Sequence, residues 1–278
     1  MEIKDNDIFE NTSKFNSGMK LYMFQTGSLK TKVKYIKMNQ SEEPYEIPVP
    51  WYLIKHPQGD IVIDGGMSVE VAYDKYKHWG DVIKAYDPIM KPSEWCKDMV
   101  KTVNTQPQDV RFVIQTHLHL DHTGAIGHFP NATYITQKTE YDYAFNPDWF
   151  SAPAYIRADF DKPNIRWKFL QGRKTDFYDL YGDGTIKLIY TPGHSPGHQS
   201  ILVNLPKTKN ILLAGDAVYT EDHWYDKCLP GLVTSATDAA ASVKKLKKVV
   251  KDNNAQLVYG HDPIAWLKWK KAPMFYYD

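Results

Sequence analysis

The segment QTHLHLDHTG, residues 115–124, sets three histidines and an aspartate within six positions: His117, His119, Asp121 and His122. Only 10 of the 278 residues are histidine, so this density is a chemical signal rather than a compositional one. Imidazole nitrogen and carboxylate oxygen are donors that zinc-type ions take, and a catalytic site of that kind leaves one position open for water. His117 and His119 stand two apart directly after the apolar run RFVIQT. In extended chain that spacing sends both rings to one side, as two ligands of one ion require. Asp121 and His122 follow where the chain leaves the strand, placed for a second ion, and Gly124 and Gly127 allow a close turn there. Other ligands must come from elsewhere in the chain. His194 in YTPGHSPGH, Asp216 in LLAGDAVY and His261 in VYGHD each follow an apolar run, which places them on one rim of the sheets.

Short apolar runs bounded by Gly, Pro or Asp predict the strands that hold this rim: KLYMFQTGS, VPWYLIKHP, DIVIDGG, FVIQTH, ATYITQ, IKLIYTPG, QSILVNL, NILLAGD and AQLVYGHD. VPWYLIKHPQGDIVIDGG reads as a hairpin about its Pro-Gln-Gly-Asp turn, and HQSILVNLPKTKNILLAGD repeats the arrangement. In TDAAASVKKLKKVVKDNN, Val243, Leu246, Val249 and Val250 fall at helical spacing, with Lys244, Lys245, Lys247 and Lys248 facing away and Thr237 or Asp238 as the cap. Weaker helical patterns cover 68–79, 93–104 and 138–146. No repeat or linker divides the sequence, so one layered α/β domain over 1–278 is expected. The aromatic segment 141–156 reads either as a pocket wall or lid or as packing on the core, and 28–48 as a polar loop able to overhang a site.

With 34 basic and 33 acidic side chains the net charge is +1, which offers no field for nucleic acid or an anionic membrane. Cys96 and Cys228 match no zinc or redox spacing and read as buried thiols. The start MEIKDNDIFENTSKF lacks the pattern of an export signal, and no run of ~18 apolar residues occurs, so a soluble cytoplasmic chain acting on a small molecule is expected. His198 reads as a hydrogen-bonding residue, and His56, His78, His128 and His223 as ordinary histidines.

Taken in order, HLHLDH, TPGHSPGH, GDAVY and YGHD resemble the metallo-β-lactamase superfamily, in particular its N-acyl homoserine lactonase branch, over nearly the whole chain. The resemblance implies an αββα sandwich of two mixed β-sheets flanked by helices, with two zinc ions between the sheet edges. His117, His119 and His194 would then hold the first zinc, Asp121, His122 and His261 the second, and Asp216 both. Two such ions lower the pKa of a shared water, giving a nucleophile for a lactone carbonyl. Tyr219 would donate a hydrogen bond to the developing oxyanion, and Asp121 would hand a proton to the departing alkoxide. Leu120, where some relatives carry an aromatic residue, is expected to face the substrate beside Tyr219. A homodimer is compatible with this reading. The rivals are a lactonase for another ring, such as a pyridoxine-derived one, a glyoxalase II-like thioesterase, and a non-enzymatic zinc module. The thioesterase reading calls for an added C-terminal helical region, which the 17 residues after His261 are not expected to supply.

Overall fold

Two mixed sheets stack face to face in the computed structural model, which describes residues 18–278; the MEIKDNDIFENTSKF start lies outside the described residues. The first sheet holds seven strands: β1 (Lys20–Lys32), β2 (Pro44–Lys55), β3 (Asp60–Ile63), β4 (Asp87–Ile89), β5 (Val110–Ile114), β6 (Thr133–Gln137) and β7 (Trp167–Leu170). Their spatial order is β4-β1-β2-β3-β5-β6-β7, antiparallel through β3 and parallel from β3 to β7. The second sheet runs β12 (Gln256–Val258), β11 (Ile211–Leu213), β10 (Gln199–Val203), β9 (Ile186–Tyr190) and β8 (Tyr178–Asp179). Both expected hairpins form, β2 with β3 and β10 with β11. The strands β4, β7 and β8 had no counterpart among the predicted ones.

The alternation of a strand explains why both faces of each sheet are apolar. In β1, Leu21 and Met23 point between the sheets and meet Ile201, Val203 and Leu213, while Tyr22 and Phe24 point outward into a second core. There Phe24 stacks on Trp51 at 4.3 Å. On the far side, Ile189, Leu202 and Leu212 are covered by Val243, Leu246 and Val249 of the helix Ala236–Asp252. Burying those three helix residues contributes roughly 5–9 kcal/mol. The result is four layers, helices outside and sheets inside. Among the described residues no helix is long and apolar enough to cross a membrane.

Several local expectations need correction. The helix is capped by Ser235, whose Oγ accepts from the Asp238 amide, not by Thr237 or Asp238. Lys245 does not face away, because its Nζ donates to Asp176 and to the Tyr190 carbonyl and so pins the helix to β9. Cys228 is half-buried, unlike Cys96. The polar stretch 28–48 is not a loop: β1 runs on to Lys32, a short helix spans Val33–Ile36, and β2 begins at Pro44, so Leu29 pairs across to Ile47. Segment 141–156 divides: its first residues complete the helix Lys138–Phe145, Tyr155 is buried, and Trp149 and Phe150 are exposed.

Candidate metal centre

All seven candidate ligands lie at C-terminal strand ends on one rim, and all are buried. The strand β5 stops at Ile114, so His117 and His119 stand in a loop rather than in extended chain as expected. Their rings nonetheless lie 4.5 Å apart. The loop closes on itself through the His122 amide, which donates to the His119 carbonyl at 3.0 Å. Gly124 fits only without a side chain, since a Cβ there would stand 2.4 Å from the Met67 carbonyl oxygen and 2.7 Å from that of Gly66. His194 follows β9, Asp216 sits in the turn Gly215–Ala217 after β11, and His261 follows β12.

The side chains converge in two groups, His117, His119, His194 and Asp216 in one, Asp121, His122 and His261 in the other. In the first, His194 Nε2 lies 3.2 Å from His117 Nε2 and 2.8 Å from His119 Nδ1. Asp216 divides its carboxylate. Its Oδ2 is 3.6 Å from His117 Nε2 and 3.3 Å from His194 Nε2, while Oδ1 is 3.4 Å from His122 Nε2 and 3.2 Å from His261 Nε2. Asp121 completes the second group at 3.5 Å from His261 Nε2 and 3.6 Å from His122 Nε2.

Hydrogen bonds on the far nitrogens decide what these rings present. His261 Nδ1 donates to the Pro48 carbonyl at 2.8 Å and His122 Nδ1 to Asp64 at 2.8 Å. The Thr116 hydroxyl donates to Asp64 and so accepts from His117 Nδ1. His194 Nδ1 faces the Leu232 carbonyl at 3.1 Å. In these four rings Nε2 therefore turns a lone pair inward, whereas His119 turns Nδ1 toward His194. Burial, reinforced by neighbouring imidazoles, pushes His117 and His119 well below the ordinary histidine value, so they stay neutral. Burial also opposes charge on His122, but Asp216, Asp121 and Asp64 outweigh it and raise its pKa. That field calls for positive charge, yet His122 Nε2 and Asp216 Oδ1 are buried with no hydrogen-bond partner. Converging lone pairs and orphaned carboxylate oxygen fit a metal cofactor.

A pocket opens over this floor, bounded by His119, Asp121, Asp216 and His261 and walled by Leu29, Ile36, Ile47, Leu120, Ala154 and Leu232. Tyr86 and Tyr219 also face it. Leu120 lines this pocket, and part of the stretch 28–48 supplies wall. Tyr219 Oη is 3.2 Å from His194 Nδ1, and since that nitrogen carries its own proton, the phenolic proton stays free. Burial, with Asp216 nearby, holds the Tyr219 pKa well above the ordinary phenol value, so it is a donor at neutral pH.

His198 joins neither group: its Nε2 accepts from the Asp216 amide at 2.9 Å, and burial holds its pKa down at about 3. His56 stacks on Tyr181, His78 pairs with Asp159, His128 meets Lys162, and His223 meets Thr220. Sequence reasoning missed Asp64, Glu140, Tyr86 and Leu232. For Asp64 a signal existed: it ends the strand DIVIDGG before two glycines, and its φ is 65°.

A profile of the metallo-beta-lactamase superfamily matches residues 44–261. The chain is 55% identical over 259 residues to the N-acyl homoserine lactonase AttM of Rhizobium radiobacter, covering 93% of this chain and 98% of that one. It is 30% identical over 247 residues to an N-acyl homoserine lactonase of Bacillus thuringiensis, covering 87% and 93%. A solved N-acyl homoserine lactone hydrolase, with N-hexanoyl-L-homoserine at its catalytic metal center, superposes with a TM-score of 0.83 at 29% identity, covering 93% of this chain and 98% of that one.

Proposed function

Since the chain belongs to the metallo-beta-lactamase superfamily, we propose that it is a zinc-dependent hydrolase that opens the ring of N-acyl homoserine lactones. His117, His119 and His194 would hold one zinc and Asp121, His122 and His261 a second, with Asp216 serving both. The observation that carries this reading is the divided Asp216 carboxylate, one oxygen to each group. When bound, the two ions supply a nucleophile from water at neutral pH and polarise the ester carbonyl.

The protein's own side chains do the rest. Leu29, Ile36, Ile47 and Leu120 receive the acyl chain and keep water from it. The Tyr219 phenol donates to the carbonyl oxygen as negative charge grows there. Asp121 stands at the pocket floor, takes up the proton that the attacking water gives up and passes it to the ring oxygen as the C–O bond breaks. One water adds across the ester, and the amide stays intact.

We take residues 1–278 as one metallo-hydrolase domain, supported by a core that both described sheets share. We place the reaction in the cytoplasm, in keeping with two cysteines that are both free. Mass spectrometry of a reaction with N-hexanoyl homoserine lactone tests the proposal. Gain of one water is expected, and free fatty acid with intact homoserine lactone would mean amide cleavage instead. Turnover confined to pyridoxine-type lactones or to glutathione thioesters would move the reading to those rivals.

A further inference from the structure

We propose that Glu140, in the helix Lys138–Phe145, is a positioning residue whose buried carboxylate clamps together the two histidine loops of the metal centre. The inference rests on His117, His119 and His194 being ligands of one ion. Glu140 is wholly buried. Its Oε1 accepts from the Leu118 amide at 3.0 Å and the Tyr155 hydroxyl at 3.1 Å. Its Oε2 accepts from the Ser195 hydroxyl at 2.6 Å and the Gly197 amide at 3.0 Å.

Three of these donors adjoin a ligand. Leu118 lies between His117 and His119, Ser195 follows His194, and the Tyr155 ring meets His119 edge-on at 4.6 Å. The loop 115–122 leaves the seven-stranded sheet and the loop 191–198 leaves the five-stranded one, so a single carboxylate spans the two layers where the rings must meet. The contact leaves no slack: a Cβ on Gly197 would stand 2.3 Å from the Glu140 amide nitrogen and 2.4 Å from its Cβ.

Only a carboxylate suits this position. It offers acceptor sites on both oxygens, and its bonds are charge-assisted. Glutamine, the same shape, turns an NH₂ toward one pair of donors, and a backbone amide there cannot reverse its polarity. Partners that hold ligands from outside the coordination sphere commonly matter ten- to a hundredfold in metal affinity.

Zinc competition against a chromophoric chelator, with no lactone present, tests this on the purified protein. Glu140→Gln should bind zinc about ten- to a hundredfold more weakly while keeping a cooperative thermal melt. Ser195→Ala and Tyr155→Phe each remove one donor and should cost about two- to tenfold, and Ser195→Ala should cost less in the Glu140→Gln background, a coupling that simple packing does not produce. Zinc affinity of Glu140→Gln within twofold of the parent overturns the proposal. If that variant does not fold, the two single variants decide: a loss in either supports the clamp, and unchanged affinity in both overturns it. A parent protein that binds no zinc would sink the metal reading itself, whereas a tightly binding parent with unaffected variants sinks only the role of Glu140.

Discussion

Replacing Tyr219 by phenylalanine isolates one oxygen atom at the pocket floor. The ring is buried and packs against His194 at 5.2 Å and His261 at 5.4 Å, contacts that phenylalanine keeps. The lost hydroxyl neighbours His194 Nδ1, and that nitrogen retains the Leu232 carbonyl at 3.1 Å, so no buried donor is orphaned. Stability should fall by less than about 1 kcal/mol. Metal content should be unchanged. The chemical step should suffer, because a phenol held protonated by burial donates more strongly to an oxyanion than to a ground-state carbonyl. Loss of one such donor costs about a hundred- to a thousandfold where it acts alone. With a bound metal sharing the charge on that oxygen, as proposed, a loss of about ten- to a hundredfold in kcat is expected, or about 1.4–2.7 kcal/mol. Steady-state kinetics on N-hexanoyl homoserine lactone, with elemental analysis of each preparation, measures it. An unchanged kcat refutes the donor role, and a rise confined to KM assigns Tyr219 to holding substrate equally in both states.

Elemental analysis of the purified protein should find about two zinc-type ions per chain, and full activity with one would refute the paired centre. Stripping them with chelator should abolish turnover, and zinc should restore it. Asp121→Asn should lower kcat at least about a hundredfold even in preparations that keep their metal, since an amide cannot shuttle the proton; near-normal turnover at full metal content removes that role. His78 gives a pH signature of stability. Its hydrogen bond to Asp159 raises its folded pKa, burial opposes this, and Glu70 and Lys162 add smaller effects of opposite sign. The stabilisation is therefore complete below the ordinary value of ~6.5 and lost as pH rises through the raised one. The melting-temperature gap between parent and His78→Gln should close on raising the pH from 5 to 9, and a constant gap refutes the assignment.

The candidate ligands were legible because each follows an apolar strand and because HLHLDH sets four donors in one short loop. Glu140 was not, since in QKTEYDYAF it looks like a solvated helix residue. Its burial comes with the tertiary approach of Leu118, Tyr155, Ser195 and Gly197. Asp64 carried a signal in DIVIDGG but its role did not show, since its partners Thr116 and His122 lie more than 50 residues on. The stretch 28–48 misled through its polarity. Pairing across to β2, not hydrophobicity, extends β1 to Lys32, and only alternate positions such as Leu29 turn inward.

Leu232 has two duties that selection cannot easily separate: its side chain is pocket wall, and its carbonyl is the fixed point against which His194 is oriented. An acyl group that shoulders Leu232 aside also swings an imidazole of the reaction centre. Fit and chemistry are thus mechanically geared together, so discrimination among acyl groups should register in kcat rather than in KM alone. Evolution toward bulkier substrates should then begin at Ile36, a wall residue whose carbonyl holds Gly231 and no candidate ligand, before it touches Leu232.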